Sequence, residues 1–155
     1  MAKQLHDLIL ECKIESNTII VGSIWNILPA LYAITDIYCT PSVMEGFGMS
    51  AQEAAATRVP VVASNLVPFV REYLLGDDRQ IVGYGEEENK SVILGSGAIV
   101  VNADDISGFK FALEMLLADD QLREKMGENA YHATIPYFTW ENRVRVFLQT
   151  INLLD

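Results

Sequence analysis

The residues best suited to chemistry are two glutamates on either side of a turn that contains two glycines. Glu45 precedes the turn and Glu53 follows it eight positions later. Gly46 and Gly48 allow backbone conformations that other residues avoid, and they let a ligand approach the main chain. The helix predicted to begin near Met49 has unpaired N–H groups at its start, which form the positive end of its dipole. A phosphate could bind there without any basic side chain.

The two carboxylates suit a different part of a ligand, because a carboxylate is a strong double acceptor for the paired hydroxyls of a sugar or ribose. Eight positions span ~12 Å along a continuous helix, but the turn folds Glu45 back, so both carboxylates could flank one ligand. The pattern therefore favours a sugar nucleotide. Two other readings stay open from spacing alone. Glu53 could serve only the helix dipole, or the two glutamates could be the acid and base of a hydrolase.

Short apolar strands alternate with helices along the chain, and these elements must position the turn between Glu45 and Glu53. The strands are continuously apolar, which is typical of a parallel sheet covered on both faces. We therefore predict one Rossmann-like three-layer α/β/α domain over residues 1–155, interrupted by an irregular insertion at 76–96 that could contain a small hairpin. The predicted strands are 18–22, 37–40, 59–63 and 98–101. The predicted helices are 3–13, one capped by Asn26, 49–57, one opened by Pro68, one capped by Asp105, 120–133, and one after Thr139.

The composition excludes several classes of protein. The chain has 155 residues, 50% of them apolar and 21% charged, which is enough for one folded core. Its formal net charge of −10 argues against nucleic acid or an anionic membrane surface as a partner. The first seven residues lack the basic start and apolar stretch of a signal peptide, and no apolar run reaches the ~18 residues that span a bilayer. The two cysteines suit a reducing compartment, so a cytoplasmic location is expected. Cys12 and Cys39 are predicted to be buried free thiols, and His6 and His132 lie too far apart in sequence to suggest a metal site.

The motif set resembles the donor-binding half of the retaining glycosyltransferases of family 4. These enzymes have the GT-B fold, in which two Rossmann-like domains face each other across a cleft. Glu45 and Glu53, with seven residues between them, match the signature pair of that family. The resemblance covers nearly the whole chain except 76–96. It is strongest at 37–42, 45–48, 53–56 and 59–64, and weaker at 20–22, 31–36, 97–102 and 138–141.

The resemblance implies a role for each matching residue. Glu53 would hold the ribose hydroxyls of the donor, and Glu45, the expected catalytic residue, would lie beside the donor hexose near the reacting carbon. Main-chain N–H groups of the turn would hold sugar hydroxyls and the diphosphate, and the loop at 22–24 would touch the base. No cofactor and no metal is implied. The predicted binding residues are Gly22, Ser23, Glu45, Gly46, Phe47, Gly48, Met49, Ser50 and Glu53.

The sequence also departs from the family pattern. The basic pair that normally neutralises the diphosphate has no counterpart, so the first strand–helix unit and the acceptor domain are expected to be missing. Arg58 stands where a helix-ending glycine is common, and 64–69 replaces a loop with a Gly-Gly pair. The expected partners are a nucleotide sugar and an N-terminal acceptor-binding domain of the same protein. Membrane association of the full enzyme is open, and the isolated chain is expected to be inactive.

Two other functions remain open. The chain could be a non-catalytic binding module on the same fold, which the lost Gly-Gly pair favours, or part of a GT-B epimerase or phosphorylase. Trp25 and Trp140 could stack on a base or sugar, although packing in the core or against a neighbouring domain is the commoner role for such residues. The last helix is predicted to bury Trp140, Val144, Phe147, Leu148 and Ile151, although in the resembled fold part of this face can contact the partner domain.

Overall fold

The protein is described by a computed structural model that covers residues 2–84 and 91–153. The acidic segment at Glu86–Glu88, predicted as a solvated loop, lies outside these residues. Five strands form one sheet in the order β1-β2-β5-β4-β3. Strands β1, β2 and β5 are parallel, whereas β4 is antiparallel to both of its neighbours. The strands are β1 Tyr38–Thr40, β2 Val61–Ser64, β3 Gln80–Tyr84, β4 Ser91–Leu94 and β5 Ala98–Val101.

Helices cover both faces of the sheet, which confirms the three-layer prediction. Alternate residues of β2 point to opposite faces: Val61 and Ala63 join one core cluster and Val62 the other. All three are fully buried, as expected for a central strand with helices on both sides. The helices are α1 Ala2–Glu11, α2 Leu28–Ala33, α3 Met49–Ala56, α4 Ile106–Ala118, α5 Asp120–Thr134 and α6 Trp140–Thr150, with a π-helical turn at Val70–Leu74.

The sheet is mixed, whereas a parallel sheet was predicted, and β3 and β4 pair antiparallel as the small hairpin that 76–96 could contain. Strand β4 returns directly to β5 through a tight turn in which Gly95 N–H donates to the Ala98 carbonyl at 2.9 Å. An antiparallel neighbour needs only such a turn, whereas a parallel one needs a crossover. Val92 is 1% exposed and Ile93 packs on the core. The short apolar patches of this segment are therefore sheet residues.

The predicted strand at 18–22 is not formed. Strand β1 is an edge of the sheet, and within the described residues no strand pairs with its outer side. An apolar run without a hydrogen-bonding neighbour gains little as a strand, and Ile19 is 88% exposed. Cys12 and Cys39 are also exposed, which contradicts their predicted burial. For Cys39 the reason is its place on the edge strand.

One of the two predicted helix caps is confirmed. Asp105 caps α4 through its side-chain oxygen as predicted, and Thr139, after which the last helix was expected to begin, caps α6. The predicted cap Asn26 instead lies inside a 3-10 turn, and Ile27 precedes α2. Helix α6 has no buried residue, and Trp140 is 86% exposed, so the predicted burial of its apolar face is wrong. Among the described helices, none is long and apolar enough to span a bilayer.

Candidate functional site

The turn before α3 has a backbone that only glycine fits. Gly48 has a φ of 104°, in the left-handed region, and a Cβ at this position would lie 2.5 Å from Val67 Cγ1. The turn is also tied to the segment after β2, because Phe69 N–H donates to the Phe47 carbonyl at 2.8 Å. The main chain at the start of α3 is therefore held in one conformation.

The side chain of Phe47 is occupied by packing, so only its main chain is left to contact a ligand. Its ring packs against three other aromatic rings, with centroid distances of 5.5 Å to Phe69, 6.3 Å to Tyr73 and 6.0 Å to Phe138. These ring contacts hold Phe47, in the middle of the turn, against the core. Phe47 was predicted to be a binding residue, whereas in the structure its side chain packs against other aromatic rings.

Among the described residues, no hydrogen bond uses the first N–H groups of α3. The first hydrogen bond of the helix runs from Gln52 N–H to the Gly48 carbonyl at 3.0 Å, so Met49, Ser50 and Ala51 N–H precede the helical ladder. Gly46 is open, because no atom beyond its own and those of its two chain neighbours lies within 4 Å of where its Cβ would be. An anion can therefore approach the main chain at Gly46. Residues 41–57 contain no Lys or Arg, so attraction there would come from N–H groups and the helix dipole.

Glu45 lies beside this turn. It is half-buried, and its Oε1 accepts a hydrogen bond from Gly46 N–H at 3.1 Å. Its Cγ is 3.9 Å from the position that a Cβ on Gly48 would occupy. The Glu45 side chain is thus next to the start of α3.

Glu53 is oriented by a tyrosine that the sequence analysis did not identify. The hydroxyl of Tyr32, on α2, lies 3.2 Å from Glu53 Oε2 and 3.1 Å from the Ser50 carbonyl, so its one proton is shared between them. Burial, and then the Glu53 charge, raise the pKa of Tyr32 well above its ordinary value. Tyr32 therefore remains a donor. Tyr38 makes a similar link from β1, with its hydroxyl donating to Ser50 Oγ at 2.7 Å.

The only sequence signal for Tyr32 was its place in the apolar pattern of α2, which indicates burial but not a partner. Tyr38 lies in a strand that was predicted from its apolar residues. Their hydrogen bonds connect elements 12 to 21 positions apart in the chain. Such long-range contacts carry no short-range pattern, which explains why sequence reasoning missed both residues.

A cavity of about 340 Å³ opens on the Glu53 side of α3. Its volume lies at the small end of the ~300–1,000 Å³ range of ligand pockets. An adjoining cavity is lined by Ser23, Ile24, Trp25 and Leu28. Trp25 and Leu28 line both cavities, so Ser23 lies next to the cavity that contains Glu53. Gly22 is exposed, with open space around it. The larger cavity is lined by Trp25, Leu28, Pro29, Tyr32, Glu53, Ala56 and Thr57.

The predicted site residues thus fall into two neighbouring groups. Glu45 and Gly46–Met49 form the turn, and Glu53 faces its cavity one helical turn further on, about 6 Å along the axis from Met49. Another cavity, of about 240 Å³, lies where β4 ends and β5 begins, and no predicted site residue lines it. Within the described residues, no group of three or more His, Cys, Asp or Glu could hold a metal ion.

Comparison with known proteins identifies the family. The profile of the family described as "Glycosyl transferases group 1" matches residues 1–133. D-inositol 3-phosphate glycosyltransferase of Corynebacterium urealyticum is 29% identical over 122 residues, which cover 79% of this chain and 24% of that protein. MMP alpha-(1->4)-mannosyltransferase of Mycolicibacterium hassiacum is 28% identical over 128 residues, covering 83% of this chain and 26% of that protein. The chain therefore spans about a quarter of the length of these relatives.

The fold also matches that of a solved structure. The C-terminal domain of a glycosyl transferase group 1 family protein from Francisella tularensis superimposes with a TM-score of 0.71 at 23% identity. The superposition covers 90% of this chain and 63% of that one. The sheet described above is thus that of one half of a GT-B fold. From the family match over residues 1–133 and this shared fold, the chain belongs to the glycosyl transferases group 1 family.

Proposed function

We propose that this chain is the donor-binding domain of a retaining glycosyltransferase, which transfers a hexose from a nucleoside diphosphate sugar to an acceptor hydroxyl. One observation carries the proposal: Glu45 and the open turn at Gly46 directly precede the first N–H groups of α3, and Glu53 follows one helical turn after Met49. These groups match the diphosphate, sugar and ribose of such a donor.

The diphosphate would bind at the turn. With no Lys or Arg in residues 41–57 and a net charge of −10, the local N–H groups must overcome an unfavourable overall field. The N–H groups of Met49 and Ser50 lie at the positive end of the helix dipole, and a developing negative charge on the leaving diphosphate would be stabilised there. Because the turn is held by Phe69 and Val67, little reorganisation would be needed on binding.

The ribose would bind to Glu53. Its Oε2 accepts from Tyr32, which leaves Oε1 and a further lone pair for two ribose hydroxyls. Glu45 would lie beside the hexose, where its carboxylate could exchange the Gly46 N–H for a sugar hydroxyl or stabilise positive charge near the reacting carbon. A mannosyltransferase among the relatives supports a hexose donor. Both carboxylates would act without a metal.

The acceptor would be held by another domain. The chain spans about a quarter of its relatives' length, which supports an additional N-terminal acceptor-binding domain in the full protein. We propose that this protein acts in the cytoplasm and that the present chain alone binds nucleotide without transferring sugar.

Calorimetric titration with UDP, GDP and ADP tests this function. We expect at least one of them to bind with millimolar or tighter affinity, and Glu53→Gln to weaken that binding about tenfold, because a charged acceptor for the ribose is lost. Glu114→Gln is the matched control, since Glu114 is exposed on α4 and lies 3.8 Å from Lys110. Unchanged affinity in Glu53→Gln, or no binding by the folded wild type, would overturn the proposal.

One observation favours a second candidate, a non-catalytic binding module. The loop after β2 lacks the expected Gly-Gly pair and is occupied with internal contacts: Ser64 Oγ donates to the Ser42 carbonyl, and Asn65 Oδ1 accepts from Ala103 N–H at 3.2 Å. These groups are then not available to a donor. Failure of all three nucleotides to bind would support this candidate.

A further inference from the structure

Trp25 is a large aromatic side chain that the proposed function leaves unused. It opens a 3-10 turn at Trp25–Ile27 and is 82% exposed, so it belongs to neither core cluster. The same residue lines both the cavity that contains Glu53 and the adjoining cavity that contains Ser23. An exposed indole between two cavities, one of which holds an oriented carboxylate, calls for an explanation beyond folding.

The rest of the larger cavity is mainly apolar. Leu28, Pro29 and Ala56 supply aliphatic walls. The hydroxyl of Thr57 is directed to the Ala54 carbonyl at 2.8 Å, and that of Tyr32 to Ser50 and Glu53. The protons of both hydroxyls are therefore used within the protein, and Glu53 is the charged acceptor that lines this cavity. A cavity with an indole wall, an aliphatic floor and one carboxylate fits a flat aromatic ring joined to a ring that carries hydroxyls.

We propose that Trp25 is the surface on which the nucleobase of the donor stacks while Glu53 holds its ribose, and that stacking makes purine nucleoside diphosphates bind more tightly than pyrimidine ones. This inference rests on the proposed function. Stacking is available to every base, but its strength grows with ring overlap, which is larger for purines. The lining side chains offer few free hydrogen-bonding groups to read the edge of a base, so overlap decides the preference.

Two single-tryptophan variants test this, because the chain has two tryptophans. In Trp140→Phe, Trp25 is the reporter. We expect ADP and GDP to quench the fluorescence of Trp25 more strongly than UDP does at equal concentration. In Trp25→Ala, Trp140 is the reporter and serves as the optical control, since Trp140 is 86% exposed on α6 and lines neither of the two cavities. Quenching of equal size in both variants would overturn the proposal.

Affinities measured by calorimetry give the second readout. We expect Trp25→Ala to weaken ADP and GDP binding by about fivefold or more, to narrow their advantage over UDP, and to leave ribose 5-phosphate binding unchanged. Trp140→Ala should keep all affinities within about twofold. Circular dichroism verifies that each variant is folded. Trp25→Leu keeps an apolar side chain without an indole, so it separates the loss of stacking from the loss of apolar contact area.

The outcomes distinguish the two proposals. If the wild type binds nucleotides but Trp25→Ala and Trp25→Leu keep its affinities and its base preference, the stacking proposal is wrong and the proposed function stands. A wild type that binds UDP more tightly than ADP and GDP also contradicts the stacking proposal. If the folded wild type binds no nucleotide at all, the proposed function fails and the stacking proposal fails with it.

Discussion

The hydroxyl of Tyr32 lies 3.2 Å from Oε2 of Glu53, and this hydrogen bond joins α2 to α3 across 21 positions of sequence. It fixes the direction of a carboxylate that would otherwise be free on an exposed helix surface. Tyr32 itself is 7% exposed, so the orienting group is held by packing. The site thus depends on a buried residue outside the signature motif.

Replacing Tyr32 by Phe should weaken nucleotide binding severalfold, because Glu53 loses the donor that orients it. The cost in stability should be about 0.5–1.5 kcal/mol, the usual net value of one hydrogen bond. Calorimetry and urea unfolding measure the two effects. Tyr137→Phe is the control, since this tyrosine is 56% exposed. Equal affinity in both variants would show that Tyr32 does not position Glu53.

Stability at alkaline pH should also report on Tyr32. Its pKa is raised in the folded state by burial and by the Glu53 charge, whereas the unfolded chain releases this proton near pH ~10. The contribution of Tyr32 is therefore complete below pH ~10 and is lost as the pH rises above it. Tyr32→Phe should show a smaller fall in the free energy of unfolding between about pH 9 and 11 than Tyr137→Phe. Identical slopes would contradict the assignment.

The two glycines of the turn should respond differently to a methyl group. Gly48→Ala places a Cβ 2.5 Å from Val67 Cγ1 at a φ of 104°, and should destabilise the fold by about 1–3 kcal/mol. Gly46→Ala meets nothing within 4 Å, and its stability should stay within about 0.5 kcal/mol of wild type. Its methyl group should nevertheless hinder a ligand that approaches the main chain there. Urea unfolding and calorimetry would show this separation, and equal destabilisation would refute it.

Arg58 carries backbone strain that its side chain offsets. Its φ is 63°, in the left-handed region that a helix-ending glycine commonly occupies. The guanidinium lies 3.8 Å from the centre of the Tyr131 ring and pairs with Glu128 at 2.7 Å. Arg58→Ala keeps the strain and loses both contacts, so its Tm should fall. Arg58→Gly removes the strain as well and should melt roughly 2–4 °C above Arg58→Ala in calorimetric scans. A glycine variant no more stable than the alanine variant would contradict this account.

Features set by neighbouring residues were predictable from sequence. The turn from Glu45 to Gly48 and the cap Asp105 each follow from a few adjacent positions, and the structure confirms them. Features set by distant partners were not. Strand β4 was missed because its pairing with β5 depends on a turn and a register rather than on its composition.

The same reason explains two of the errors of burial. Ile19 and Trp140 belong to apolar patterns that predict packing, but a pattern shows only that a face is apolar and not what covers it. In the candidate site, the motif residues were found and the residues that orient them, Tyr32 and Tyr38, were not.

The most direct test of the central claim is a comparison of amide ¹⁵N–¹H shifts on adding GDP or guanosine to the labelled chain. The account predicts that the Glu53 amide shifts with both, whereas the amides of Gly46, Gly48 and Met49 shift with GDP alone, because only GDP carries the diphosphate. Unmoved Gly46–Met49 amides at millimolar GDP, in a spectrum that otherwise shows binding, would contradict it.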